Sequence, residues 1–204
     1  MAFATLAGLV AAGTATGLDR WMAEHAMPLA GPPGKPPTLS ESLVPLLHAD
    51  WHPVGVAVAQ IVTLPGQVVI SFVLVLLASS KLRTPNWIAV WLLAVAVELV
   101  FRHTLTRPPI YRHGAHLVGL DMSWPSGHAL RCAIVAAALA AAWPRLRLAL
   151  GIWLVTAVVL LELAGFHTVT DVGGGLLLAT VAVAAAVGLE GSGLLGLRRT
   201  GSGS

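Results

Sequence analysis

The sequence predicts an all-α integral membrane bundle of six transmembrane helices with both termini on the cytoplasmic side. Three observations carry that expectation. Of 204 residues, 56% are hydrophobic and only 10% are charged, against about 25% charged in soluble domains. The mean hydropathy is +0.82, which places the chain among proteins that use lipid as solvent. Six apolar runs recur, at about 2–18, 64–80, 86–101, 126–143, 148–163 and 170–189. The length suits six spans with short loops and no added soluble domain. Residues 1–197 are therefore expected to form one domain, and 198–204 a tail whose final GSGS looks like an appended linker.

The first run has no Lys or Arg ahead of it, which predicts a retained helix rather than a cleaved signal peptide. GPPGKPP at 31–37 excludes a helix or strand interior. Residues 41–62 carry apolar side chains at mixed spacing and suit a helix lying on the membrane surface. In TLPG, 63–66, Thr63 suits a helix cap and Pro65 the first turn of the second span. Trp51, Trp87, Trp124 and Trp143 flank the shorter runs and extend them into the interface. The GGG at 173–175 predicts close packing of the last helix.

Other classes are excluded by composition. The single cysteine, Cys132, allows no internal disulfide and is expected to be a small packing residue. The net charge of +3 is spread along the chain, with no basic block for nucleic acid. No HExxH sequence occurs, and no metal or cofactor is assigned.

Six spans would sort the charges. Lys81, Arg83, Arg145, Arg147, Arg198 and Arg199 fall on one side, assigned to the cytoplasm. Arg20, Lys35, Arg102, Arg107 and Arg112 fall on the other, mixed with Asp19, Glu24, Glu41, Asp50 and Asp121. All eight histidines (25, 48, 52, 103, 113, 116, 128 and 167) lie on that second side. Chemistry is expected there.

Three stretches supply it: FRHTLTRPPIYRH at 101–113, WPSGH at 124–128 and GFHTVTD at 165–171. Ser126 and Gly127, following Pro125 at a helix start, offer backbone N–H groups to an anion, helped by the helix dipole. Glycine there permits close approach. Arg102 and Arg107 add guanidinium forks suited to phosphate. His167 and Asp171 stand four apart, so one helical turn brings carboxylate to imidazole. A carboxylate on one ring nitrogen fixes the tautomer and sharpens the other as a nucleophile. His128 is left as a separate acid. An anion cradle, an oriented nucleophile and a proton donor are the parts of a phosphoryl-transfer site.

The order of an Arg-Pro pair (Arg107, Pro108), PSGH (125–128) and HxxxD (His167, Asp171) resembles the type 2 phosphatidic acid phosphatase superfamily of membrane lipid phosphatases. The resemblance covers nearly the whole chain. It implies that His167 attacks phosphorus to form a phosphohistidine and that Asp171 orients it. It implies that His128 protonates the leaving oxygen and that Arg107, Ser126 and Gly127 hold the phosphoryl oxygens, without metal. The expected substrate is a membrane lipid phosphate or polyprenyl diphosphate. The site would face the extracytoplasmic side of the plasma membrane. Two family positions differ: a lysine is replaced by Val100, and a Ser-Arg pair by Leu160 and Leu161. Arg102 and Arg131 are the candidate substitutes, with Glu162 expected as the partner of Arg131 and Glu98 as that of Arg102.

Simpler readings stand beside these. Asp171 also suits a helix cap, Arg112 and Asp121 a loop ion pair, and the six other histidines interfacial roles. A lipid-linked phosphotransferase and a non-catalytic lipid-phosphate binding or transport protein remain the alternatives to a phosphatase.

Overall fold

Helices form where apolar runs lack internal proline, and glycine, proline and capping residues end them. The computed structural model describes residues 1–27, 51–112 and 115–192. In chain order the helices are α1 (Ala2–Ala11), α2 (Thr16–His25), α3 (Trp51–Thr63), α4 (Val68–Leu82), α5 (Asn86–Thr104), α6 (Gly127–Ala142), α7 (Arg147–Leu163) and α8 (Val169–Ser192). The exception to helix is a two-residue antiparallel ladder that pairs Tyr111 with His116 and Arg112 with Ala115. The GPPGKPP segment, His48, His113, Arg198 and Arg199 lie outside the described residues.

Among the described residues three helices are long and apolar enough to cross a membrane: 86–104, 144–163 and 169–191. Two bent pairs raise the count to five: α1 with α2 at 79°, and α3 with α4 at 46°. The expected fourth span, α6, has only 16 residues, about 24 Å against the ~30 Å of a hydrocarbon core. Its place explains its length. It is the central helix, packed by α4, α5, α7 and α8, and Leu130, Ile134 and Val135 are buried in the main core with Val75, Trp87, Trp91 and Leu178. Being sheathed in protein, it has little surface to match to lipid. By contrast, α7 turns Leu148, Ile152 and Val155 outward with exposures of 77%, 61% and 65%. Their spacing places them on one stripe, as lipid contact favours.

Three helices end alike. Gly13 (φ 73°), Arg83 (φ 57°) and Gly165 (φ 71°) take the left-handed conformation. The following N–H groups then return to earlier carbonyls: Thr14 to Leu9 at 3.0 Å, Thr84 to Ser79 at 3.1 Å and Phe166 to Leu161 at 3.1 Å. This is the hydrogen-bond pattern of a Schellman cap. The turn at Gly13 breaks the expected span 2–18 in two and lays α2 across the bundle end. There Ala23 of α2 and Met27 just beyond it pack on Ile110 and Leu120 of the 105–126 connection.

The TLPG expectation is corrected. Thr63 ends a helix rather than starting one, and its hydroxyl donates to the Ala59 carbonyl at 2.8 Å. Leu64–Gly66 form a 3-10 turn, and α4 begins only at Val68. Proline lacks an amide hydrogen, so the ladder of hydrogen bonds breaks there and the chain bends.

Candidate functional site

The WPSGH turn is held from two directions. The Trp124 ring stacks on Phe3, centroids 5.2 Å apart, and its Nε1 donates to the Thr170 carbonyl at 3.1 Å. A Cβ on Gly174 would lie 2.7 Å from that indole, and one on Gly175 would collide with the Ser126 carbonyl. The glycine triplet thus permits the close approach of α8 to this turn, as expected. Ser126 caps α6 by accepting the Ala129 N–H on Oγ at 3.2 Å, so Pro125 precedes the helix rather than starting it. The Ser126 N–H, expected to face an anion, instead donates to the Asp171 carbonyl at 2.9 Å.

The Gly165 turn delivers Phe166 and His167 at the end of α7, and Thr168 then caps α8. The Thr168 N–H donates to Asp171 Oδ2 at 2.9 Å, and the Asp171 N–H returns to Thr168 Oγ1 at 3.3 Å. This is a capping box with aspartate as its acid. Thr168, not Asp171, is therefore the cap residue; Asp171 completes the cap from the first turn and has a second task. Ser123 Oγ donates to Oδ2 at 2.5 Å, and Arg107 Nη1 donates to Oδ1 at 2.5 Å. His167 Nδ1 lies 3.8 Å from Oδ2, outside hydrogen-bonding range, and this buried nitrogen has no hydrogen-bond partner. The His128 and His167 rings are neighbours, 6.0 Å between centroids and tilted by 51°. Replacing Gly165 by Ala is expected to cost about 1–2 kcal/mol from the left-handed conformation alone. An unchanged melting midpoint in detergent would contradict that strain.

Two buried ion clusters flank the imidazoles. In the first, Arg107 bridges Asp171 and Asp19, giving Nη2 to Asp19 Oδ2 at 2.6 Å. The expected phosphate fork is thus already engaged by two carboxylates, and its side chain is only 2% exposed. In the second, Arg131 pairs with Glu98 through Nη1 and gives Nε to the Gly66 carbonyl at 2.6 Å. The bend before α4 is what leaves that carbonyl free of a helical partner. Glu98, not Glu162, is therefore the partner of Arg131: it projects from α5 toward the start of α6, one turn from Arg102. Arg102 Nη1 lies 3.7 Å from Glu98, as the four-residue spacing predicts. A Cβ on Gly127 would overlap the Glu98 carboxylate and lie 2.7 Å from Arg131 Nη1. The anion that approaches this glycine is the chain's own.

Removing Glu98 strands the Arg131 charge among buried groups. Glu98→Ala is expected to destabilise by about 3–5 kcal/mol, while Glu98→Leu with Arg131→Met recovers much of that loss. Thermal unfolding of the single and double variants in detergent tests the coupling, and strictly additive losses would refute it.

A cleft of about 230 Å³ opens beside the site, lined by Arg102, His103, Thr106, Arg107, Asp121 and Met122 among others. It reaches the arginines, but neither catalytic candidate imidazole lines it. Asp121 pairs with His116 at 2.9 Å, not in the Arg112 pair expected. His25 and His103 bond to carbonyls one turn back, Trp21 at 2.9 Å and Leu99 at 2.7 Å. No group of three or more His, Cys, Asp or Glu among the described residues is arranged to hold a metal ion. His48 and His52 stand four apart, a spacing used by metal sites, but His48 lies outside the described residues.

Sequence reasoning brought His128, His167, Asp171 and Arg107 together, and it missed Asp19, Ser123, Thr168 and Thr170. One signal was legible: TVTD at 168–171 has the capping-box spacing. Asp19, an acid within an apolar N-terminal region, was the other. Comparison of this chain with models of known families, with curated proteins and with solved structures finds no match.

Proposed function

We propose that the protein is a membrane lipid phosphatase of the type 2 phosphatidic acid phosphatase kind, acting on a lipid phosphomonoester or polyprenyl diphosphate. One observation carries the reading: two imidazoles from separate helix junctions lie 6.0 Å apart, with a fully buried carboxylate four residues beyond one of them. That separation is short enough for the two rings to act on one phosphoryl group.

In this mechanism Nδ1 of His167 faces Asp171, which leaves Nε2 to attack phosphorus. The P–N bond forms as the P–O bond to the lipid breaks, and His128 gives its proton to the departing oxygen. Water then attacks the phosphohistidine, His128 takes the water proton, and inorganic phosphate leaves with His167 restored. The separation of 3.8 Å between His167 and Asp171 closes by about 1 Å to a hydrogen bond on substrate binding, as catalytic contacts often do. Arg102 and Arg131 supply positive charge near the imidazoles, in place of the residues that Val100 and Leu161 replace.

The candidate residues gather at one end of the bundle. The other end carries the Trp87 Nε1 to Glu190 contact of 2.9 Å and the basic residues Lys81, Arg83, Arg145 and Arg147. That polarity supports a cytoplasmic end for α8 and a site on the extracytoplasmic face of the cell membrane, within a proposed arrangement of six spans with α6 as the fourth and both termini in the cytoplasm. The engagement of Arg107 by two carboxylates favours a second reading, a lipid-phosphate binding protein without turnover. Phosphate release from short-chain phosphatidic acid and polyprenyl diphosphate, by purified protein in detergent with EDTA, decides between them. Release supports the phosphatase, and none from either substrate supports the binder.

A further inference from the structure

Asp19 lies far in sequence from all three motif stretches, yet it is 1% exposed and sits at their meeting point. Its Oδ2 accepts Arg107 Nη2 at 2.6 Å and Thr170 Oγ1 at 2.6 Å. Its Oδ1 accepts the Thr170 N–H at 3.2 Å. One carboxylate from α2 therefore ties the first turn of α8 to the arginine that holds Asp171. The guanidinium is planar and its donors are fixed as a fork, so two carboxylates on its two terminal nitrogens fix each other's position. A second anchor explains why the chain bends after α1. Gly13 approaches Pro108 so closely that a Cβ would lie 2.8 Å from its Cγ, and the bend seats α2 beside Arg107.

We propose that Asp19 is a positioning residue: through Arg107 and Thr170 it fixes the Asp171 carboxylate, against which the ring of His167 is set when substrate binds. Arg107 is then part of this clamp and not the fork that grips phosphate. The phosphate charge falls to Arg102, which is partly exposed and lines the cleft. The kinetic consequence rests on the phosphatase reading, whereas the clamp itself does not.

The test is a cycle of Asp19→Ala, Arg107→Ala and the double variant, with Asp19→Asn as the conservative member. Asp19→Asn keeps the shape and one acceptor oxygen, and it carries the comparison if Asp19→Ala does not fold. On short-chain phosphatidic acid, Asp19→Ala is expected to lower kcat about 10–100-fold, as loss of a residue behind a reactive group does. KM should stay within about twofold, since the phosphate contacts are untouched. Asp19→Asn should restore part of the rate, and the double variant should be no slower than Arg107→Ala. Multiplying losses, or an Arg107→Ala variant with raised KM and unchanged kcat, would overturn the proposal. The melting midpoints of the same variants give a readout independent of turnover. Non-additive shifts support the clamp and additive shifts overturn it, even if the wild-type protein releases no phosphate and the phosphatase reading fails.

Discussion

Replacing His167 by Ala is expected to lower phosphate release by about 10⁴-fold or more, the largest effect of any single substitution in the protein. Loss of a nucleophile removes the covalent route itself, so other members of the site compensate little. The residue is 5% exposed and its backbone is pinned by the Gly165 turn, so the change removes an imidazole without releasing a loop. Quenching the wild-type reaction with radiolabelled lipid phosphate should trap label on the protein, stable in base and labile in acid, as a phosphohistidine is. His167→Ala should carry no label. A variant that still releases phosphate at the wild-type rate, or label that remains after the substitution, would place the nucleophile elsewhere. Because Asp171 is fixed by Ser123, Thr168 and Arg107 independently of His167, the carboxylate should hold its place and folding should be little changed.

The parts of the site legible in the sequence were those set by local spacing. His167 and Asp171 belong to one turn, PSGH caps one helix, and the glycine triplet must meet a bulky neighbour. Helices and their ends follow from apolar runs and from glycine or proline beside them, which is why the six runs lie close to the helices found. What was not legible were partnerships made through space. Arg131 was expected to pair with Glu162, in the segment that precedes His167. Its partner is Glu98, because α5 packs against α6 and places a carboxylate at the start of α6. Apolar periodicity carries no information about such pairs when helices are apolar on every face, as with α6. The 79° bend after α1 was hidden for the same reason. A glycine in an apolar run has no signature that separates a left-handed cap from a helical position. With that bend hidden, Asp19 was assigned to a polar face and not to the site, and Arg107 was left without the partner that occupies it.

The effect of replacing His128 should depend on the leaving group, and this separates its role from that of His167. An alkoxide is the conjugate base of an alcohol about as weakly acidic as water, so cleavage of an alkyl phosphate needs a proton in the transition state. General acids contribute about 10²–10⁴-fold, and His128→Ala should lose that much on phosphatidic acid. A nitrophenyl phosphate expels a far more acidic oxygen and needs little help. The first turnover of that substrate, seen as a burst of nitrophenol, should fall by less than about tenfold. Subsequent turnovers should slow more, because the same imidazole takes the proton from the water that attacks the phosphohistidine. Label should therefore accumulate on His128→Ala, where it vanishes on His167→Ala. A diphosphate behaves like the activated ester, since its leaving group is a lipid monophosphate. Equal losses on alkyl and nitrophenyl substrates in the first turnover would exclude His128 as the acid. The half-buried ring would then have to act by another route, such as holding the phosphoryl oxygens beside Arg131, one turn further along the same helix.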